Sequence, residues 1–179
     1  DWQVREAAVE AVAEVGPPAV DMLIRFSRDW ESRKYVLRTL GRINDERVLE
    51  PLISYLKSDE FKDDATRALV ALGSPAVPKL IEALESGEDF VKKQAILALG
   101  DIADPQAVDP LIALLQDDDW MVRLTSASSL EKIGDLRGRA AIKPLMKDPD
   151  LVVRMRIERI LAVWKKDGTK ETDKEAANA

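Results

Sequence analysis

The sequence predicts an all-α protein, a right-handed superhelix of stacked helical hairpins. Three observations lead there. A short pattern recurs six times at nearly constant spacing, each recurrence opens an apolar stripe of helical period, and turn-forming residues close it. A period of about 30 residues marks an array in which each unit buries its face only against its neighbours.

The recurring position lies three residues after Asp1, Asp29, Ser58, Glu88, Asp119 or Asp150 and just before a Lys or Arg. It falls at Val4, Ser32, Phe61, Val91, Val122 and Val153, with spacings of 28, 29, 30, 31 and 31. Asp and Ser are strong N-caps because a side-chain oxygen accepts an orphan backbone N–H. Glu88 is the poor match, and Asp89 is the alternative cap there.

In the first, third, fourth and sixth units, apolar residues recur at offsets 0, +4, +7, +8 and +11 from the marker. They are Phe61, Ala65, Ala68, Leu69 and Leu72 in the third unit, and Val153, Ile157, Ile160, Leu161 and Trp164 in the sixth. That is the stripe of an amphipathic helix, and small residues at +4 and +7 predict close helix approach. The stops are Gly16-Pro17-Pro18, Asn44-Asp45, Gly73-Ser74-Pro75, Asp104-Pro105 and Gly134-Asp135. Gly and Asn tolerate a left-handed C-cap, and Pro opens the following helix well.

A second helix follows in a fixed frame, as in Val20-x-x-Leu23-Ile24 and Val108-x-x-Leu111-Ile112. Units are expected near 1–28, 29–57, 58–87, 88–118, 119–149 and 150–166. These give about five hairpins and a C-terminal capping helix with a polar outer face at Arg154, Arg159, Lys165 and Lys166. Residues 167–179 show no apolar periodicity and are expected to form a disordered tail.

Asp-x-x-Val-Arg, then Ala-x-x-Ala-Leu-x-x-Ile-Gly, then Asp-x-x-Ala-Val-x-Pro-Leu-Ile resembles the short HEAT-like repeats first named from phycobilin lyases. Asp119-Trp120-Met121-Val122-Arg123 and Asp104-Pro105-Gln106-Ala107-Val108-Asp109-Pro110-Leu111-Ile112 carry the match. The resemblance covers residues 1–166. It implies a solenoid whose second helices line a concave face. The family spans scaffolds, adaptor domains and lyase subunits, so fold alone does not select among them. HEAT-repeat deoxyhypusine hydroxylases carry paired His-Glu iron ligands, which a chain without His cannot supply.

Composition narrows the chemistry. With no His and no Cys, the usual general base and the best nucleophile are missing, and no disulfide or thiolate metal site can form. The chain is therefore expected not to be an enzyme, and no cofactor or metal is predicted. The acidic run Asp117-Asp118-Asp119 lacks the spaced oxygen ligands of a Ca²⁺ loop and reads as helix capping. No apolar run approaches the ~20 residues of a membrane span, and no signal-peptide pattern opens the chain. A cytoplasmic protein is expected. The start at Asp1-Trp2 lies inside a repeat without an initiator Met, which reads as a fragment or processed chain and leaves an upstream targeting segment open.

Two columns need weighing. Arg5, Arg33, Lys62, Lys92, Arg123 and Arg154 follow the markers. They form either a ladder for an anionic ligand or an internal ladder to Asp45, Asp104 and Asp135, and a repeated structural pairing is the expectation. Trp2, Trp30 and Trp120 share another column, where packing between successive first helices is expected over a stacking platform.

Varied side chains over this regular scaffold nominate a protein- or peptide-binding face on the second helices. Its candidate residues are Met22, Arg25, Phe26, Tyr55, Lys79, Glu82, Leu114 and Lys143. The alternative is nucleic acid at a basic C-terminal patch of Arg137, Arg139, Lys143, Lys147 and Arg156. Residues 1–119 carry net −10 and residues 120–167 net +5. That asymmetry also admits end-to-end self-association. A subunit of an enzyme complex such as a bilin lyase is the third reading.

Overall fold

The computed structural model describes the backbone of residues 2–86 and 88–177, with side chains to residue 164. Its first helices are α1 (Trp2–Val15), α3 (Trp30–Leu40), α5 (Lys62–Leu72), α7 (Asp89–Ile102), α9 (Trp120–Ile133) and α11 (Leu151–Ala177). Between them lie α2 (Val20–Phe26), α4 (Leu49–Tyr55), α6 (Val77–Leu84), α8 (Val108–Ala113) and α10 (Leu136–Ala141). No strand occurs among the described residues. The helices form two compact units, Asp1–Ala107 and Val108–Ala179.

Local chemistry explains the boundaries. Asp29 accepts from the Ser32 amide at 2.9 Å, Asp119 from Met121 at 2.8 Å and Asp150 from Val152 at 2.7 Å. Ser58 holds the Phe61 amide at 3.3 Å. Glu88 occupies the N-cap of α7 without a capping bond, and Asp89 begins the helix. At Gly134 the chain turns left-handed, with φ 76°, to close α9. Ala103 takes the same conformation after α7 without glycine's freedom. The stop signals lead into one-turn 3-10 segments, Pro17–Ala19, Glu46–Val48, Ser74–Ala76 and Pro105–Ala107, which redirect the chain into each second helix.

The stripe residues are the core. Ala65, Ala68 and Leu69 of α5 and Ala95, Ala98 and Leu99 of α7 are buried, as are Leu23, Leu52, Leu80 and Leu111 of the second helices. Small residues do permit close approach: a Cβ on Gly41 would lie 2.6 Å from the Ala68 Cα. The first helix is the exception, because no residue of α1 is buried although it carries the same stripe.

Two elements depart from the expected pattern. The fifth second helix is split into the short α10 and a 3-10 segment, Lys143–Lys147. Pro144 stands at its start, where a missing N–H and a bulky ring prevent α-helical bonding from continuing out of α10. Helix α11 continues to Ala177. The expected disordered tail over 167–179 falls where side chains lie outside the described residues, as do Lys165 and Lys166. The expected polar outer face of α11 is interrupted within the described part by exposed Leu151, Val152, Met155 and Val163.

Candidate interaction surface

Three arginines of the basic column, Arg33, Arg123 and Arg154, are structural, and their partners differ from those expected. Arg33 donates through Nε to the Ser27 carbonyl at 2.6 Å and through Nη2 to the Arg28 carbonyl at 2.8 Å. Arg123 reaches the carbonyls of Asp117 and Asp118 at 2.8 and 3.0 Å, and Arg154 those of Asp148 and Pro149 at 2.6 and 3.0 Å. Each arginine thus satisfies carbonyls left open at the end of the preceding hairpin. Asp45, Asp104 and Asp135 instead cap the turns by accepting from the amides of Arg47, Gln106 and Arg137.

That capping turn builds a second clip. Arg47 pairs with Asp45 at 2.7 Å and with Asp21 of α2 at 3.0 Å, and donates to the Pro17 carbonyl at 2.7 Å. Arg137 repeats the motif with Asp135 at 3.1 Å and Asp109 of α8 at 3.0 Å. Hydrogen bonds from the Arg47 side chain and amide hold the Asp45 carboxyl at about 2. Asp135 is lowered for the same reason.

The one buried charge pair lies in the C-terminal unit among the described residues. Arg123 forks onto Asp148 with two bonds of 2.8 Å. Their side chains are 10% and 1% exposed. The guanidinium holds the Asp148 carboxyl below the usual carboxylate range, against the opposing effect of burial.

In the tryptophan column Trp2 and Trp120 are exposed, and Trp30 packs on the next first helix. Trp30 meets Phe61 edge-to-face at 5.2 Å. Arg33 sits over Trp30, Tyr55 and Phe61 at 5.8, 5.5 and 4.9 Å from their ring centres.

The nominated second-helix residues divide into exposed and engaged. In the N-terminal unit, Met22 and Phe26 project from α2 and are exposed, Phe26 by 52%. They border an apolar cleft of about 270 Å³ with Ala8, Val9, Val12 and Leu23 as walls and Arg5 at its edge. Arg25 is exposed beside them. Tyr55 is half-buried, and its hydroxyl donates to the Ser27 carbonyl at 2.8 Å. Lys79 lies between Glu50 at 2.9 Å and Glu82 at 2.7 Å, and both carboxylates raise its pKa. In the C-terminal unit Leu114 is half-buried and Lys143 exposed.

Of the basic C-terminal patch, three members are committed inside the unit. Arg137 is in the clip just described. Arg139 donates to the Trp164 carbonyl at 2.9 Å, and Arg156 pairs with Glu131 at 2.6 Å and donates to Ser128 at 3.0 Å. Lys143 and Lys147 are exposed.

The cleft walls contributed by α1 were not nominated from sequence. Their signal is size: Ala8, Val9 and Val12 stand where the next first helix has Val36, Leu37 and Leu40, so the first hairpin is underfilled.

Repeated helix pairs, carbonyl ladders and interhairpin clips define an α-solenoid. Models of HEAT repeats match residues 1–73 and 77–162, and the PBS lyase HEAT-like repeat matches 62–86. The chain belongs to the HEAT-repeat family. It is 30% identical over 148 residues to a phycocyanobilin lyase subunit alpha of Picosynechococcus sp., covering 82% of this chain and 45% of the relative. It is 36% identical over 148 residues to the bilin biosynthesis protein PecE of Mastigocladus laminosus, covering 79% and 52%. The chain thus spans about half the length of the curated relatives it matches.

Two solved structures share the fold. Human deoxyhypusine hydroxylase superposes with a TM-score of 0.53 at 19% identity, covering 93% of this chain and 81% of that one. A designed armadillo repeat protein in complex with the peptide (KR)4 gives 0.53 at 18%, covering 89% and 91%.

The relatives correct one expectation. Absence of His and Cys predicted a chain that is not an enzyme, yet the relatives are named as a lyase subunit and a bilin biosynthesis protein. The inference failed because composition limits only what one chain supplies. In a complex of several subunits, reacting groups can come from a partner or from the substrates. Among the described residues, no helix is long and apolar enough to cross a membrane.

Proposed function

We propose that this chain is the HEAT-repeat part of a bilin lyase subunit, holding a protein partner along its second helices. The carrying observation is kinship: relatives with bilin-related names align across about four fifths of the chain. The geometry supports a protein-binding contribution. In the N-terminal unit, Met22 and Phe26 stand exposed at the edge of an apolar cleft with Arg25 beside them. An apolar anchor flanked by Arg is the composition of an interface hot spot. Lys79 and Glu82, already paired, form a polar rim, and Leu114 and Lys143 are the corresponding contacts of the C-terminal unit.

The test is binding to apo-phycocyanin, by biolayer interferometry, with and without phycocyanobilin. Phe26→Ala combined with Met22→Ala should weaken capture about tenfold or more while leaving the thermal melt unchanged. No capture by the unmodified chain, or equal capture by the variant, refutes the reading.

A further inference from the structure

We infer that the cleft between the turn before α4 and the start of α6 takes an arginine side chain from a partner protein. At this step of the array the chain lacks the arginine that two other steps supply themselves. The cleft is distinct from the one bordered by Met22 and Phe26, which do not line it.

The arginine clip has two columns. The second residue of each second helix is Asp21 in α2, Glu50 in α4, Pro78 in α6 and Asp109 in α8. The matching residue of the next turn is Arg47, Pro75, Gln106 and Arg137, in the same order. Arg47 reaches Asp21 at 3.0 Å and the Pro17 carbonyl at 2.7 Å. Arg137 reaches both carboxylate oxygens of Asp109 at 3.0 Å. Pro78 and Gln106 are both uncharged, so that step needs no ion pair. Glu50 is the mismatch: it shares its cleft with Pro75, which has neither a charge nor a donor.

The space at this step is open. Asn44, Glu46, Glu50, Pro75, Pro78 and Lys79 border a cleft of about 650 Å³. Glu46 is exposed, and the Glu50 side chain is 72% exposed. Two carboxylates against one ammonium leave the cleft net negative. Lys79 bridges Glu50 at 2.9 Å and Glu82 at 2.7 Å. An entering guanidinium therefore takes Glu50 while Lys79 keeps Glu82.

A carbonyl is also in place. Pro17, whose carbonyl Arg47 uses, precedes the turn column by one residue, as Glu46 does one hairpin later. Each of these carbonyls accepts from the first amide of its second helix, Val20 or Leu49. A planar fork can bridge such a carbonyl and the Glu50 carboxylate at once, which a point-like ammonium does less well. The rings of Pro75 and Pro78 offer apolar contact to the side-chain stem. Exposed pairs are individually weak, so a single arginine binds at about millimolar concentration, as one subsite of a larger contact.

The test is a titration of the ¹⁵N-labelled chain with N-acetyl-arginine amide at low salt, followed by amide chemical shifts. Saturable shifts should map to Asn44, Glu46, Glu50 and Lys79. N-acetyl-lysine amide should bind about fivefold more weakly or less. Glu50→Gln should weaken arginine about fivefold. Pro75→Arg should abolish the saturable shifts, because the chain's own guanidinium then completes the clip. Circular dichroism of each variant separates loss of folding from loss of binding. Absence of saturable shifts in the unmodified chain overturns the inference. So does equal binding of the lysine compound, or parental affinity in folded Glu50→Gln or Pro75→Arg. None of these readings involves phycocyanin, bilin, Met22 or Phe26, so failure here leaves the proposed function standing.

Discussion

Removing the Asp148 carboxylate isolates the energetics of this fold at one point. In Asp148→Ala, the Arg123 Nε and Nη2 donors each lose a bond of 2.8 Å. The guanidinium, with its side chain 10% exposed, cannot turn to water without leaving the carbonyls of Asp117 and Asp118. The amide of Asp150 also loses its acceptor at 2.8 Å. Leaving one partner of a buried pair uncompensated costs about 3–5 kcal/mol. With an m-value of about 2 kcal/mol/M, the urea midpoint of the C-terminal unit should fall by about 2 M. The assay is urea unfolding followed by circular dichroism, with Arg123→Met and the Arg123→Met/Asp148→Leu pair completing a cycle. The double variant should recover most of the loss, because an apolar pair needs no partner. A single variant within about 1 kcal/mol of the parent refutes the claim that the pair is effectively desolvated.

Three further outcomes follow from the same physical picture. Ser126 stands on α9 at a column that is Ala in the third and fourth units, and its hydroxyl is buried without an acceptor, so Ser126→Ala should stabilise by about 1 kcal/mol in urea unfolding. Gly41→Val places a side chain into the Ala68 backbone and should lower stability by about 1–3 kcal/mol in the same assay. Acid titration followed by circular dichroism should show stability fully present above about pH 4 and declining toward pH 2. The carboxyls of Asp45, at about 2, and Asp148 are lowered in the folded state, so protonating them as pH falls removes their contribution.

Much of the fold was legible because its causes are local. An N-cap, a stripe of period 3.6 and a Pro or Gly stop act within one helix, so six similar segments announced six first helices and their hairpins. The site was less legible. Met22 and Phe26 were nominated from the column they occupy, but the cleft beside them also depends on Ala8, Val9 and Val12, whose small volumes matter only once α1, α2 and α3 meet. Arg137 read as a candidate for an anionic partner, whereas it is held by Asp109 from 28 residues away. Lys79 likewise read as a candidate contact of the binding face, whereas Glu50 and Glu82 hold it. A charge's availability depends on what folding sets beside it, and a single column does not contain that partner.

The sequence by itself determined the helical repeats, their caps and the buried stripe, since periodicity and turn chemistry act over a few residues. Tertiary structure decided which charges are engaged, which carbonyls the arginine column satisfies, and where the apolar surface stays uncovered. Those outcomes depend on contacts between side chains some 25 to 32 residues apart, such as Arg123 with Asp148 and Arg42 with Glu10, which exist only when hairpins stack.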